Sequence, residues 1–575
     1  TACLPMLKEV DWAGVDARLP GAFYTAVMDD RGPSGSYYTP AHLAGEVARL
    51  TILPLFGRTQ VESASQKGEI YLAPTGQPSE SESVHPFDGV TVSDPPPIRI
   101  LDPAVGGGHF LIAAGEALAD HLLAEGWAGS PSEARGLALS CFYGIERDPV
   151  AAEIAACALW LWAGLPGTSP AMLAGRIICG DTLLDDRLWE GLPGAFDAVI
   201  GNPPFASVFS PTKNGYRERL KARYRTARGS FDLAVPFVER ALSLCREGGR
   251  CGLVLPNKIL AAAYAAPLRK WIGGRAVVEA VIDYSGERPF EASVYPVACV
   301  FRRESPGPED PLRIFTGNGS GRAALVRQTG QAELSGAPGG VWSGALDSEW
   351  ESLQRCLEGT WPLGEVAAVL GGLTVGEAYE LREFVGEAPD GPGCFRLATT
   401  GLIGRHHSAW GEKPARFLKS DYQRPALPAE CLPSRRREQA ASAKLVVAGL
   451  GRAPRAFVDG GRYQASVSTL IVLEAAWPLY ALCAVLNARL MARLYRALFG
   501  GLALAGGYLR FGKRELSVLP IPDARPDDPR LLALDRLARR RAAADGDGLT
   551  LDGEIDRLVE QLYGLESHSL IHDSR

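Results

Sequence analysis

Four stretches of this chain place reactive side chains where an apolar run stops. Residues 196–205 read Phe-Asp-Ala-Val-Ile-Gly-Asn-Pro-Pro-Phe. An apolar strand runs into Asn202, Pro203, Pro204 and the ring of Phe205. The prolines fix φ near −65° and remove two backbone donors. The strand end is therefore stiff and rich in acceptors beside an aromatic face, which suits a grip on a flat amino group. Upstream, Leu101-Asp102-Pro103-Ala104-Val105-Gly106-Gly107-Gly108-His109-Phe110 runs from a strand through an acid and glycines into a helix. Gly144-Ile145-Glu146-Arg147-Asp148 and Cys179-Gly180-Asp181-Thr182 put acids at two further strand tips.

Taken singly, each acid has a bland role. Asp102 ends a tight turn, Glu146 is a charge at a helix start, and Asp181 is a cap. Together, Asp, Glu and Asp on successive tips followed by Asn202 form the floor of a nucleotide-like pocket. Glycines let the backbone approach a ligand closely, and an acid on the second strand commonly takes ribose hydroxyls. The dinucleotide fingerprint is incomplete, because position 111 is Leu, and no Gly-Lys-Ser/Thr follows. A ligand without phosphates fits better, and S-adenosylmethionine is one. Asp102 then faces its ammonium and Asp181 its adenine amino group.

The elements that must carry these residues are legible as strand–turn–helix repeats. Tyr37–Leu55 reads as a helix, with Thr39 as its N-cap and Pro40 at its first position. Strands are expected at Ile98–Leu101, Cys141–Ile145, Arg176–Cys179, Ala198–Ile200, Gly252–Leu255, Val277–Asp283 and Val297–Phe301. Helices are expected at Phe110–Glu125, Pro149–Ala163 and Phe231–Cys245. Short apolar strands alternating with helices imply an α/β, doubly wound, Rossmann-like sheet. Residues 57–97, rich in Ser, Glu, Pro and Gly, read as an inserted flexible loop, and residues 1–34 as a leader. From about 306 the alternation fades, and 311–450 reads as irregular, with short strand-like runs such as Leu445-Val446-Val447. Trp477–Phe499 reads as one apolar helix, and Leu531–Arg541 and Ile555–Leu565 as amphipathic helices. The expected plan is a catalytic domain at 35–305, a mixed α+β domain at 306–530 and a helical tail at 531–575.

The chain has 575 residues, more than one core sustains. Its net charge of −6 does not announce a nucleic-acid partner, although such footprints are local. The 11 cysteines are scattered without a Cys-x-x-Cys pair, as expected of reduced thiols in a cytoplasmic protein without a metal site. The apolar runs near Ile154–Leu165 and Ala475–Leu486 are too short to span a bilayer, so no membrane role is expected.

These segments together resemble the gamma-order DNA adenine-N6 methyltransferases. The match runs from Gly35-Ser36-Tyr37-Tyr38-Thr39-Pro40 through Asp102–Phe110, Glu146 and Gly180-Asp181 to Asn202–Phe205. Val105 and Gly107 depart mildly from the family's glycine turn. The resemblance implies a methyltransferase sheet that binds S-adenosylmethionine. Tyr37, Thr39, Pro40, Asp102, Ala104, Gly106, Gly108, Phe110, Glu146, Arg147, Asp181, Thr182 and Asn202 become the cofactor-binding positions. Asn202 Oδ1 and the Pro203 carbonyl would accept the adenine amino hydrogens, with Pro204 and Phe205 completing the catalytic motif. Phe205, and Phe290 in Gly286-Glu287-Arg288-Pro289-Phe290, would stack on a base flipped out of duplex DNA. Residues 444–521 resemble a TaqI-like target-recognition domain, through Ala443–Val447, Leu486–Leu490 and Leu519–Pro522.

Contacts to DNA need cations. Lys213, Arg217, Arg219, Lys221 and Arg223 follow the Asn202 strand with Tyr216 and Tyr224 between them, and they read equally as a phosphate-facing lip or a solvated face. Arg405-His406-His407 and Arg435-Arg436-Arg437 are weaker DNA candidates in the second domain. Three rival readings stay open at this level. One is a methyltransferase for another flat amino group, on protein glutamine, an RNA base or cytosine N4. Another is a non-catalytic DNA-binding subunit of a defence complex. The last is a restriction enzyme with a fused nuclease. Only about thirty residues precede Tyr37, so for restriction or phage defence a separate nuclease or other subunit is the expected partner.

Overall fold

A computed structural model describes residues 39–57, 98–205, 215–286, 295–319, 322–387, 393–503, 507–544 and 548–565. The expected leader, the 57–97 insertion from residue 58 onward, and Tyr37, Lys213 and Phe290 lie outside the described residues. The chain divides into two compact units, Thr1–Ile259 with Pro267–Ala332, and Leu260–Ala266 with Glu333–Arg575.

The first unit is built on one nine-stranded sheet. Its strands are β1 (Ile100–Asp102), β2 (Phe142–Glu146), β3 (Ile177–Cys179), β4 (Phe196–Gly201), β5 (Cys245–Pro256), β6 (Val277–Asp283), β7 (Pro296–Arg302), β8 (Pro311–Thr316) and β9 (Ala324–Gly330). Their order is β3-β2-β1-β4-β5-β7-β6-β8-β9. Strands β1 to β5 are mutually parallel, and β7 runs antiparallel between β5 and β6. The central strands are buried along their length, as parallel strands covered on both faces must be. Helices α1 (Ala41–Ile52), α2 (His109–Ala124), α3 (Pro131–Ser140), α4 (Pro149–Ala163), α5 (Tyr216–Arg223) and α6 (Ala234–Leu244) complete the layers. The doubly wound α/β expectation holds.

Helix α1 is seated on the sheet because β5 makes room for it. A Cβ added to Gly252 would collide with Thr51 and lie 3.0 Å from Val47 Cγ1. With glycine there, Leu43, Val47, Leu50 and Ile52 are buried, each worth about 1.5–3 kcal/mol. The start of α1 differs from expectation. Pro40, not Thr39, is the N-cap, and no side chain caps the helix. The Thr39 hydroxyl is spent elsewhere, as described below.

The first unit also runs past residue 305. Strand β8 pairs with β6 in parallel, and β9 closes on β8. Arg302 on β7 binds Glu279 on β6 at 2.9 Å and Asp310, just ahead of β8, at 3.0 Å. That network ties the added strands to the sheet. The expected boundary at 305/306 therefore moves to about Ala332.

The second unit holds two four-stranded sheets, which include the strand-like run at Leu445–Val447 and take in part of the stretch expected to be irregular. One orders Ala368–Gly371, Thr469–Leu473, Ala443–Ala448 and Ala456–Gly460. The other orders Gly386–Glu387, Pro425–Pro428, Cys394–Ala398 and Tyr463–Ala465. The helix expected over Trp477–Phe499 is two, Leu479–Asn487 and Arg489–Phe499, broken at an extended Ala488. Asn487 turns its buried amide onto both the N–H and the carbonyl of Ala456, fixing the break against the neighbouring strand. The helices Pro529–Ala543 and Gly548–Leu562 form the expected helical tail, which packs into the core of the second unit. Leu531, Leu534, Ile555 and Val559 share one core with Leu482, Val485, Leu494 and Trp350.

Candidate active site at the strand ends

The register of the sheet brings the sequence candidates together. Asp102 pairs with Gly144, two residues before Glu146, and Glu146 pairs with Cys179 ahead of Asp181. Leu101 pairs with Val199, which places Gly201-Asn202 beside the end of β1. These tips surround the point where strand order reverses, the crevice in which open α/β sheets bind ligands.

Asp102 is buried, 1% exposed, and its Oδ1 accepts the Ala104 N–H at 2.9 Å. Burial pushes its carboxyl up to about 8; the Ala104 hydrogen bond opposes this, and the neighbouring Glu146 adds to it. Gly201 is glycine because a Cβ there would sit 2.6 Å from Asp102 Oδ1. In the turn that follows, Gly106 and Gly108 adopt φ of 52° and 88°, which L-residues avoid. Glu146 holds this turn in place. Its Oε2 accepts Gly106 N–H at 2.9 Å, and its Oε1 accepts Arg147 and Asp148 N–H at 2.8 and 3.0 Å. Burial raises the Glu146 carboxyl above its ordinary range, against those three bonds.

Other expected contacts are spent partly on the scaffold. Thr182 is buried and donates to the Pro103 carbonyl at 2.6 Å, clamping β3's end to the glycine turn. Asp181 Oδ1 accepts Leu183 and Leu184 N–H at 3.0 and 3.2 Å, the bland capping role. Phe110 is buried on α2, Ala104 lends its N–H to Asp102, and Pro40 heads α1. Arg147 is exposed and lies over the Tyr216 ring, 5.5 Å from its centroid.

The strand end at Asn202 carries the most informative contact. Asn202 Nδ2 donates to Thr39 Oγ1 at 2.9 Å, whereas Asn202 Oδ1 is buried without a hydrogen-bond partner among the described residues. A buried acceptor left unmade costs about 1–3 kcal/mol, so it persists where something else demands it. Pro203 and Phe205 are buried beside it, and Pro204 is half-buried. Sequence reasoning missed the Thr39–Asn202 bond because it spans 163 positions; the one signal was that Pro40 can begin the helix without help from Thr39.

The basic run is largely committed internally. Arg217 binds the Gly229 carbonyl at 2.6 Å, and Lys221 pairs with Glu218 at 3.0 Å. Arg223 forms a two-pronged pair with Asp186, and Arg228 binds the Lys221 carbonyl. Arg219 is exposed. Ten described cysteines are free thiols. Among the described residues no helix is long and apolar enough to cross a membrane.

The strand order and strand-end site define an open, doubly wound α/β fold with its ligand crevice at the strand ends. Residues 140–290 match the family model of the Eco57I restriction-modification methylase, and residues 96–164 that of the MmeI DNA-methyltransferase domain. Residues 96–290 are thus similar to methylase domains of the Eco57I and MmeI restriction-modification type. A type II methyltransferase of Pseudomonas aeruginosa, M.PaeR7I, is 28% identical over 50% of this chain and 52% of its own length. The adenine-specific methyltransferase PglX of Streptomyces coelicolor is 26% identical over 40% of this chain and 22% of its own. The chain therefore aligns with about half or less of these relatives. A solved structure of the type IIL restriction-modification enzyme MmeI with DNA overlays at a TM-score of 0.49 and 14% identity, covering 82% of this chain and 70% of that one.

Proposed function

We propose that this protein is a site-specific DNA adenine-N6 methyltransferase that uses S-adenosylmethionine, in a restriction-modification or phage-defence setting. One observation carries the reading: the split amide of Asn202, with Nδ2 tied to Thr39 and Oδ1 buried and, among the described residues, unmatched. An amide held this way presents an acceptor, not a donor, at the end of β4. Adenine N6 is a poor nucleophile because its lone pair is shared with the ring. Asn202 Oδ1 and the Pro203 carbonyl, both accepting, draw its two hydrogens to one side and turn the lone pair outward. Phe205 gives the base a face to stack on, and stacking of this kind is worth about 1–3 kcal/mol. Positioning then supplies much of the acceleration.

The residues present fit the proposed cofactor. A buried carboxyl at Asp102 whose ionisation is suppressed gains most from a cationic partner such as an amino-acid ammonium. Glu146 has given three of its roughly four acceptor sites to backbone, leaving room for one hydroxyl. When bound, S-adenosylmethionine supplies a sulfonium methyl group open to in-line attack. Unit 2 takes the role of target reader, with duplex DNA as the macromolecular partner and a separate nuclease or defence subunit as a further one. PglX, named as adenine-specific, supports the choice of base.

The test uses the full chain, methyl-labelled cofactor and unmethylated plasmid DNA. Label is expected in DNA from the wild type, on N6 of adenine by modification-sensitive sequencing, and not from Asn202→Ala, whose cofactor affinity stays within about twofold. Label on cytosine, on RNA or on protein alone overturns the assignment.

A further inference from the structure

Unit 2 holds a cavity of about 500 Å³ that the methyl-transfer chemistry does not use. Its wall is rich in hydroxyls, with Thr399, Thr400, Ser466 and Ser468 on one side. Arg416 faces it from the hairpin formed by Ala415–Phe417 and Ser420–Tyr422. No lining residue is acidic.

The rim is built, not loose. Leu418, in the two-residue hairpin turn, and Ser468 both adopt left-handed φ, 54° and 58°, where a side chain is a burden. Ser468 is pinned there, its carbonyl accepting the Thr400 hydroxyl at 2.6 Å and the Gly449 N–H at 2.9 Å. Strain of this kind lasts only where the surroundings over-determine it, and it gathers at ligand sites. The hairpin alternates: Ala415 and Phe417 point into the core and Arg416 out. Arg416 makes no ion pair or side-chain hydrogen bond with any described residue, not even with Asp421 directly across the ladder. Exposed Lys413 and Lys419 flank it, equally uncommitted among the described residues.

Within the lining, one guanidinium and the hydroxyls of Thr399, Ser466 and Ser468 stand without amide or carboxylate, and Arg416, Lys413 and Lys419 outnumber the neighbouring Glu412 and Asp421; that set suits a phosphodiester rather than the mixed edge of a base. We propose that this cavity and hairpin are a DNA backbone-contact site, in which Arg416 engages a phosphate of the duplex and Lys413 and Lys419 extend the contact along the strand. The proposal rests on the reading of the protein as a DNA methyltransferase. It gives the second unit a sequence-independent grip, separate from the residues that read bases.

The test is binding of the full chain to labelled duplex DNA over a series of salt concentrations. Arg416→Ala is expected to weaken binding roughly tenfold at the lowest salt, equally on all duplexes. The slope of log affinity against log salt should fall by about one. Arg416→Lys keeps the slope, because the charge stays. Lys419→Ala, at the exposed turn, gives a second and smaller loss of slope if Arg416→Ala does not fold. Unchanged slopes in the folded variants overturn the site. So does a loss restricted to particular sequences, which marks a base contact instead. If the wild type itself ignores duplex DNA at low salt, the DNA reading fails and takes this proposal with it; wild-type binding with unaltered slopes removes the proposal alone.

Discussion

Two polar groups with buried atoms are treated in opposite ways in this protein. In unit 2, Lys444 and Asp459 form an ion pair at 2.5 Å with both side chains 1% exposed. Lys444 Nζ also donates to the Ala440 and Ser442 carbonyls, and Asp459 accepts the N–H groups of Gly461, Arg462 and Tyr463. In unit 1, Asn202 is anchored at one end only, and its carbonyl oxygen is left without a partner among the described residues. The difference separates two uses of buried polarity. A group whose every valence is met inside the chain holds the fold; a group with one valence held open is arranged for something that arrives later. The contrast makes a prediction at each end.

Removing Lys444 should produce the largest effect, and on stability alone. Lys444→Ala leaves the Asp459 carboxylate buried without its counter-charge, a change that costs about 3–5 kcal/mol. Burial lowers the lysine's own pKa and Asp459 opposes that, so the pair's charge on Lys444 depends on its partner. Denaturant unfolding of unit 2 should shift to lower midpoint, while cofactor binding to the folded protein stays as in the wild type. Loss of cofactor binding without loss of stability would place Lys444 in the functional machinery and dissolve the contrast.

Asn202→Ala should do the reverse. Methyl transfer is expected to fall by about a hundredfold to a thousandfold, about 2.7–4 kcal/mol of barrier. The melting temperature should hold or rise, since a buried unmatched acceptor is removed with its penalty. Thr39→Val tests the anchor: the Asn202 amide is then free to turn, and kcat should fall while the KM for cofactor moves little. Thr39→Ser should restore kcat.

The two groups also differ in how far the sequence reveals them. Asn202 was legible because Val199-Ile200 ends in two prolines, and no ordinary strand interior tolerates them. Asp102, Glu146 and Asp181 were legible for a similar reason, each ending a short apolar run before glycine or a helix start. What the pattern hides is where a side chain's second bond goes. Thr39 reads as a cap from its neighbours, yet its hydroxyl belongs to Asn202, brought there by the Gly252 gap under α1. Thr182 and Asp181 read as ligand contacts, yet the bonds they make here hold the scaffold. Strands β8 and β9 escaped notice because β9 is an exposed edge without clean alternation. Lys444 looks like any surface lysine, and only the ladder that pairs it with Asp459 shows it is buried.

Asp102 stands between the two extremes, buried like Lys444 and open to a ligand like Asn202. Its carboxyl is raised to about 8 from an ordinary 3.8, chiefly by burial. The protonated form is thus favoured by folding. Its contribution to stability is full below about pH 4 and is lost as pH rises through about 8. A cationic ligand needs the ionised form. Cofactor affinity should therefore climb up to tenfold per pH unit below about 8 and fall again above it, where an α-ammonium of ordinary pKa about 7.7–8.0 loses its proton, measured by titration calorimetry. Asp102→Asn should flatten that profile and stabilise the free protein at neutral pH. A flat wild-type profile would mean that Asp102 is not the ammonium's partner.

The smallest effect is expected where charge is plentiful and already spent. Lys221 and Arg223 have carboxylate partners, and Arg217 is bonded to the Gly229 carbonyl. An exposed cation held this way gives up an existing contact to gain a phosphate, so little counterion release is left to measure. Arg217→Ala and Arg223→Ala should change the salt slope of DNA binding by well under one, whereas Arg416→Ala should change it by about one. The pairing decides the outcome, not the count of cations: seven of them crowd residues 213–228, while Arg416 lines its cavity with no side-chain partner among the described residues. A slope change at Arg223 equal to that at Arg416 would show that the Asp186 pair opens on binding, and that satisfied surface charges in this chain are as available as free ones.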